Sequence, residues 1–153
     1  MKYIILEDIR SAYNVGAIFR TADATGVAKV FLVGYTPAPI DRFGRVQPEI
    51  EKTSLGASAS MPWEQGLTTK EIVERLQADG VTVVAVEQDD RAVSLKDWQE
   101  PDLVAYIVGN EVEGVQIETL DHVDAIVELP MLGMKESLNV SVTAGVILYH
   151  SLS

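Results

Sequence analysis

The chain has 153 residues, 47% hydrophobic and 23% charged side chains, and a formal net charge of −11. These proportions describe one ordinary folded domain and exclude a disordered chain. The absence of cysteine removes a disulfide scaffold, a thiolate metal site and a cysteine nucleophile. With only two histidines, His122 and His150, no metal is expected. No apolar run approaches the roughly 18 residues of a membrane span. The start, MKYIILEDIR, lacks a cleavable apolar region, so the expectation is a soluble cytoplasmic protein away from membranes.

In chain order, Tyr3–Leu6, Lys29–Val33, Val81–Val86, Leu103–Val108 and Val123–Glu128 are continuous apolar runs. Such runs suit parallel strands covered on both faces. Between them, Asn14–Thr25 puts Val15, Ile18, Phe19 and Ala22 on one helical stripe, with Asn14 as the expected N-cap. Thr68–Asp79 is a second helix stopped by Gly80, and Ser137–Ser151 is the last. Gly34–Thr53, with its three prolines, reads as a long surface segment. Strand–helix alternation predicts an α/β, doubly wound, mostly parallel sheet. Ligands on such sheets bind beyond the carboxyl ends of the strands. That directs attention to Asp8–Asn14, Gly109–Gly114 and Leu129–Glu136.

Three motifs fall in or beside these segments. In NVGAIFRTAD (Asn14–Asp23), Gly16 permits close approach of another backbone or a ligand. Arg20 lies about 140° around the helix from Val15, off the apolar stripe. A capped helix with a solvent-facing arginine would give this pattern, and so would a two-pronged phosphate ligand. In IVGNEVEGV (Ile107–Val115) a strand runs into a glycine-rich, acidic turn. It lacks the Gly-Lys-Ser/Thr of a phosphate loop and suits a neutral or cationic small molecule such as a nucleoside, or else is a plain strand-to-helix turn. In LPMLGMKESLNVSVTAGVILYHSL (Leu129–Leu152) the terminal helix leaves little polar face. Either a second subunit or the protein's own core must cover it. His122, His150, Trp63 and Trp98 read as structural.

Taken together and in this order, the three motifs resemble the SPOUT superfamily, in particular the SpoU/TrmH-type RNA 2′-O-ribose methyltransferases. The resemblance spans residues 14–145. It implies a C-terminal trefoil knot, a homodimer and S-adenosyl-L-methionine as cofactor. It also implies an RNA substrate, tRNA or rRNA, methylated on a ribose 2′-hydroxyl. Residues 1–153 read as a single domain of this kind, without an appended RNA-binding domain. Val112 departs from the pattern, where a small residue is common.

By the same resemblance the catalytic set is Arg20, Asn14, Glu111, Ser137 and Asn139. Arginine is too weak an acid to serve as a base, so Arg20 is read as a clamp on the phosphate beside the target ribose. The cofactor is expected against Gly109, Leu129 and Leu138, with Val86, Glu87, Asn110, Gly114, Pro130 and Met131 around it. Residues 1–52 hold seven Lys/Arg against six Asp/Glu, while residues 53–153 hold five against seventeen. The candidates for RNA contact therefore come from the first third: Arg10, Arg42, Arg45 and Lys52. A catalytically inactive S-adenosylmethionine- or RNA-binding module of the same fold is the competing reading. The missing G-x-G-x-x-G after the first strand argues against a dinucleotide enzyme.

Overall fold

In the computed structural model, which describes residues 1–152, seven parallel strands form one sheet with helices on both faces. The elements in chain order are β1 (Lys2–Glu7), α1 (Ala12–Ala24), β2 (Lys29–Val33), α2 (Pro48–Ser54), α3 (Ala57–Ser60) and β3 (Trp63–Gln65). There follow α4 (Thr69–Ala78), β4 (Thr82–Val86), β5 (Val93–Ser94), β6 (Val104–Val108), α5 (Ile117–Leu120), β7 (Ala125–Glu128) and α6 (Val140–His150). The order across the sheet is β3-β2-β1-β6-β4-β7-β5. No helix among the described residues is long and apolar enough to cross a membrane.

The continuous apolar runs have a simple cause. Successive side chains on a strand point to opposite faces, and here both faces are covered. On β1, Ile4 and Leu6 join Val15, Ile18 and Phe19 of α1 and Ile147 and Leu148 of α6. Ile5, between them, joins Ile72, Val73 and Leu76 of α4 on the other face. β6 alternates in the same way, with Val104, Tyr106 and Val108 on one side and Ala105 and Ile107 on the other.

Several boundaries differ from the sequence expectation. Ser11, not Asn14, is the N-cap of α1: its hydroxyl accepts from the Asn14 backbone amide at 3.2 Å. Both residue types cap well, and taking the earlier one leaves the Asn14 side chain free for another partner. The last helix begins at Val140 rather than Ser137, because Asn139 accepts from the Ser141 amide at 2.9 Å and caps it. It is not buried all round. Val140, Ala144, Ile147 and Leu148 face the core, while Val142 and Tyr149 are 50% and 51% exposed. The segment after β2 contains a short hairpin, Ile40 bridging Val46, and then α2. α2 packs on α1 at Gly16, where an added Cβ would lie 2.8 Å from the Ile50 carbonyl oxygen. The glycine is needed for a helix, not for a ligand.

Two features bear on how the chain is threaded. β7 lies between β4 and β5. Val86 at the end of β4 and Val93 at the start of β5 are both level with Val127. The connection from residue 87 to residue 92 therefore arches over β7 at its carboxyl end, and Gln88 Nε2 donates to the Leu129 carbonyl at 2.8 Å. On the central strand β6, the fully buried Tyr106 donates to Glu100 at 2.6 Å and accepts from Trp98 Nε1 at 2.9 Å. Burial and the Glu100 carboxylate push its phenol well above the ordinary tyrosine value. Lys2 Nζ pairs with Glu100 at 3.1 Å and donates to the Leu148 carbonyl at 3.2 Å, tying α6 to the sheet.

Candidate functional site

The carboxyl ends of β1, β2 and β6 are bound into one junction. Glu7 is 1% exposed; its carboxylate accepts from the Gln116 amide at 2.8 Å and from the hydroxyls of Thr69 at 2.7 Å and Thr119 at 2.6 Å. A buried acid thus satisfied is a structural anchor. Asp8 adopts a left-handed backbone, φ 53°, held by three neighbours. Its carboxylate accepts from the Tyr35 amide at 3.3 Å and Gln116 Nε2 at 2.5 Å, and its carbonyl from Asn110 Nδ2 at 2.9 Å.

The turn after β6 is closed on itself. Asn110 and Gly114 exchange backbone hydrogen bonds of 3.1 and 2.9 Å, and Asn110 Oδ1 accepts from the amides of Val112 and Glu113. Gly109 has no room for a side chain, since an added Cβ would lie 2.4 Å from the Val115 nitrogen. Gly114 has φ +74°, and its absent Cβ would meet Glu87, whose carboxylate accepts from the Val115 amide at 2.9 Å. Val112 is 80% exposed, so its size leaves the turn intact.

From this turn Glu111 reaches the start of α1. One carboxylate oxygen accepts from the Arg10 amide at 2.9 Å. The other accepts from the Ser11 amide at 2.9 Å and Asn14 Nδ2 at 3.3 Å. Burial pushes the Glu111 carboxyl up, but the amides of Arg10 and Ser11 and the Asn14 side chain outweigh it and hold it below the ordinary glutamate value.

A cavity of about 590 Å³ opens beside this turn. Its floor is Val86, Glu87, Gly109, Asn110 and Gly114, and Glu111 borders it. Met131, Ser137 and Leu138 close the far side, and Leu129 lines an adjoining recess. Gln88, Glu136 and Thr143 also line it and were not singled out from sequence. Thr143 could have been found there, one turn beyond Val140 on the same helix face. Pro130 is not among the lining residues, and the Asn139 side-chain oxygen Oδ1 is taken up in capping α6. No group of His, Asp or Glu suited to a metal occurs among the described residues.

Arg20 lies elsewhere. It lines a separate recess of about 620 Å³ with Tyr13, Lys52 and Tyr149. Arg20 is six residues beyond Asn14, which sets it about 9 Å further down the helix axis. Arg42 and Arg45 sit on the hairpin after β2, and Arg10 offers its amide to Glu111. A larger cavity of about 710 Å³ lies on the α4 side of the sheet, next to Asp8, Gln116 and His122. Sequence reasoning did not anticipate it. Of its two carboxylates, those of Asp8 and Glu118, that of Asp8 is already bonded within the junction.

The architecture is thus that of an α/β domain with a ligand-sized cavity beyond the carboxyl ends of its strands, built from two glycine-containing loops. Residues 1–149 match the model of the SpoU rRNA methylase family, and the chain belongs to that family. It is 32% identical over 145 residues to the 23S rRNA (guanosine-2′-O-)-methyltransferase RlmB of Neisseria meningitidis serogroup B, covering 95% of this chain and 55% of that protein. The enzyme of the same name from Pseudomonas putida is 31% identical over 150 residues, covering 97% of this chain and 57% of that protein. The chain therefore spans little more than half the length of these relatives. Among solved structures, an AdoMet-bound rRNA methyltransferase from Sinorhizobium meliloti superposes with a TM-score of 0.87 at 28% identity, covering 97% of this chain and 54% of that one. A TrmH/SpoU tRNA modifying enzyme of A. aeolicus gives 0.84 at 26% identity, covering 97% and 72%.

Proposed function

We propose that the chain is a methyltransferase that moves a methyl group from S-adenosyl-L-methionine to a ribose 2′-hydroxyl of rRNA or tRNA. The observation that carries this reading is the cavity. Gly109–Gly114 and Met131–Thr143, separate in sequence, close on one volume of about 590 Å³, a size that suits a nucleoside-like ligand. Its chemistry fits a sulfonium nucleoside. Val86, Met131 and Leu138 offer apolar surface for a base, while Glu87, Glu113 and Glu136 offer negative charge toward a cation. When bound, S-adenosyl-L-methionine supplies an activated methyl group on a positively charged sulfur.

The chain's own residues bind and orient. Both oxygens of Glu111 are committed to the start of α1, so Glu111 acts by fixing Asn14 and the 10–11 backbone. Arg20 clamps the phosphate beside the target ribose and favours the charge that develops on the 2′ oxygen. Ser137 at the cavity and Asn139, next to the lining residues Leu138 and Val140, orient the ribose. Arg10, Arg42, Arg45 and Lys52 hold the RNA backbone.

Arg20 and the cavity are apart within one chain, and a homodimer joins them. The exposed Val142, Val146 and Tyr149 of α6 form its contact, and Tyr149 borders the Arg20 recess. In this reading Arg20 of one copy serves the cavity of the other. A trefoil knot belongs to the same reading, with residues 1–153 as one domain working in the cytoplasm. The arch over β7 supports it, since residues 87–92 cross the carboxyl end of β7 and Gln88 bonds to Leu129 where the chain leaves that strand. The test is methyl transfer from labelled S-adenosyl-L-methionine to undermodified total rRNA and tRNA, with ribose methylation mapped afterwards. No transfer to either pool, by protein that binds the cofactor in calorimetry, selects the inactive-module reading instead.

A further inference from the structure

The hairpin between β2 and α2 carries an exposed aromatic ring with two guanidinium groups against it. Phe43 is 66% exposed, and Arg42 and Arg45 lie 4.8 and 5.0 Å from its ring centroid. The turn is built rigidly. Asp41 Oδ1 accepts from the amides of Phe43 at 2.8 Å and Arg45 at 2.9 Å, and Oδ2 from Arg45 Nε at 2.9 Å. Gly44, at φ +78°, supplies the left-handed residue, and Ile40 bridges Val46 below. The hairpin feeds into α2, which is seated on α1 at Gly16, so the tip is fixed relative to the helix bearing Arg20.

The two arginines are not equivalent. Arg45 is pinned by Asp41 at 2.9 Å, whereas Arg42 makes no ion pair among the described residues. The turn is locally cationic in a chain of net charge −11. Arg42 is therefore free to leave the ring without breaking an ion pair, and Arg45 is not. An unpaired nucleotide offers what such a tip can use: a planar base for the ring face that Arg42 vacates, and a phosphate for its guanidinium.

We infer that Phe43 is a stacking platform for an unpaired RNA base, with Arg42 taking the adjacent phosphate. This rests on the proposal that the substrate is RNA. Every base has a π face, so the platform secures single-stranded RNA without selecting its sequence.

The test uses the full chain, a twelve-nucleotide oligoadenylate and an abasic oligonucleotide of the same length. Phe43→Leu weakens oligoadenylate binding roughly 10-fold and leaves abasic binding unchanged. Arg42→Gln weakens both and lowers the slope of log affinity against log salt by about 0.7, while Phe43→Leu leaves that slope alone. Phe43→Trp keeps the affinity, and oligoadenylate quenches its added fluorescence. Phe43→Leu that binds oligoadenylate like the unsubstituted chain overturns the platform and leaves the RNA reading standing. So does a weakened binding matched by loss of dimer mass in light scattering, which makes Phe43 a subunit contact. An unsubstituted chain that binds oligoadenylate through Phe43 but transfers no methyl group keeps the platform and removes the activity.

Discussion

Glu111 and Asn14, 97 residues apart in sequence, meet at 3.3 Å. With the amides of Arg10 and Ser11 on the same carboxylate, the turn after β6 is fastened to the first turn of α1. The acid of the second sequence motif thereby sets the position of the first.

The first expectation concerns this fastening. Glu111→Ala leaves two backbone amides and an asparagine without their acceptor and lowers stability by about 1–3 kcal/mol. The Glu111 carboxyl is held below its ordinary value of 4.5, so its contribution is present above that pH and fades as pH falls through the lower folded value. Glu111→Gln should remove that part of the acid sensitivity. Urea unfolding at pH 7 and at about pH 3.5 checks both; a Glu111→Gln chain with the parent's difference between the two would contradict it.

Gly109 and Gly133 should respond oppositely to alanine. An added Cβ at Gly109 meets backbone of Gly114 and Val115 within 2.6 Å, where nothing flexible can give way, whereas at Gly133 nothing lies within 4 Å. Gly109→Ala is expected to cost about 1–3 kcal/mol through overpacking and to abolish S-adenosyl-L-methionine binding. Gly133→Ala should fold and bind like the parent. Calorimetric titration and a thermal melt of each variant measure the contrast.

Arg20→Ala should lower turnover on the order of 10²-fold. Cofactor affinity should hold, since Arg20 lines a different recess. Arg20→Lys should fail nearly as badly, because a point charge cannot make the two-pronged phosphate contact. Steady-state methyl transfer beside calorimetry separates the two quantities.

Mixing Arg20→Ala with Gly109→Ala protein tests whether the dimer unites the two sites. If each Arg20 serves the other copy's cavity, a mixed dimer carries one wholly intact site and regains up to half the parent activity per mixed dimer. If each serves its own, both sites of the mixed dimer are damaged and mixing gains nothing. Val142→Glu, which buries a charge in the proposed contact, should return a monomer mass in light scattering and eliminate transfer.

How far the sequence could be read follows from where the burial lies. Lys29–Val33 and the four other long strands were legible because both faces of the sheet are covered and their apolar runs are unbroken. Trp63–Gln65 and Val93–Ser94 were not, being edge strands of three and two residues with no periodicity to detect. α2 carried a usable signal, Pro48 in its first turn with Glu49 and Glu51 near its start and Lys52 near its end, but it sat within a proline-rich stretch. Ser137 and Asn139 are both good caps, so the start of α6 was ambiguous until the Ser141 bond chose between them. Most of the expected cavity residues are brought together because they flank the ends of adjacent strands. The separation of Arg20 from them depends on how α1 runs back along the sheet, which no spacing rule conveys.

The arch over β7 also governs the order in which the molecule can become competent. The strand made last fills an interior slot, not an edge. A nascent chain halted before Ala125 has β4 and β5 with a gap between them, and it lacks the wall from Met131 to Thr143. In the proposed reading, cofactor capture is therefore withheld until synthesis has passed Thr143 in α6.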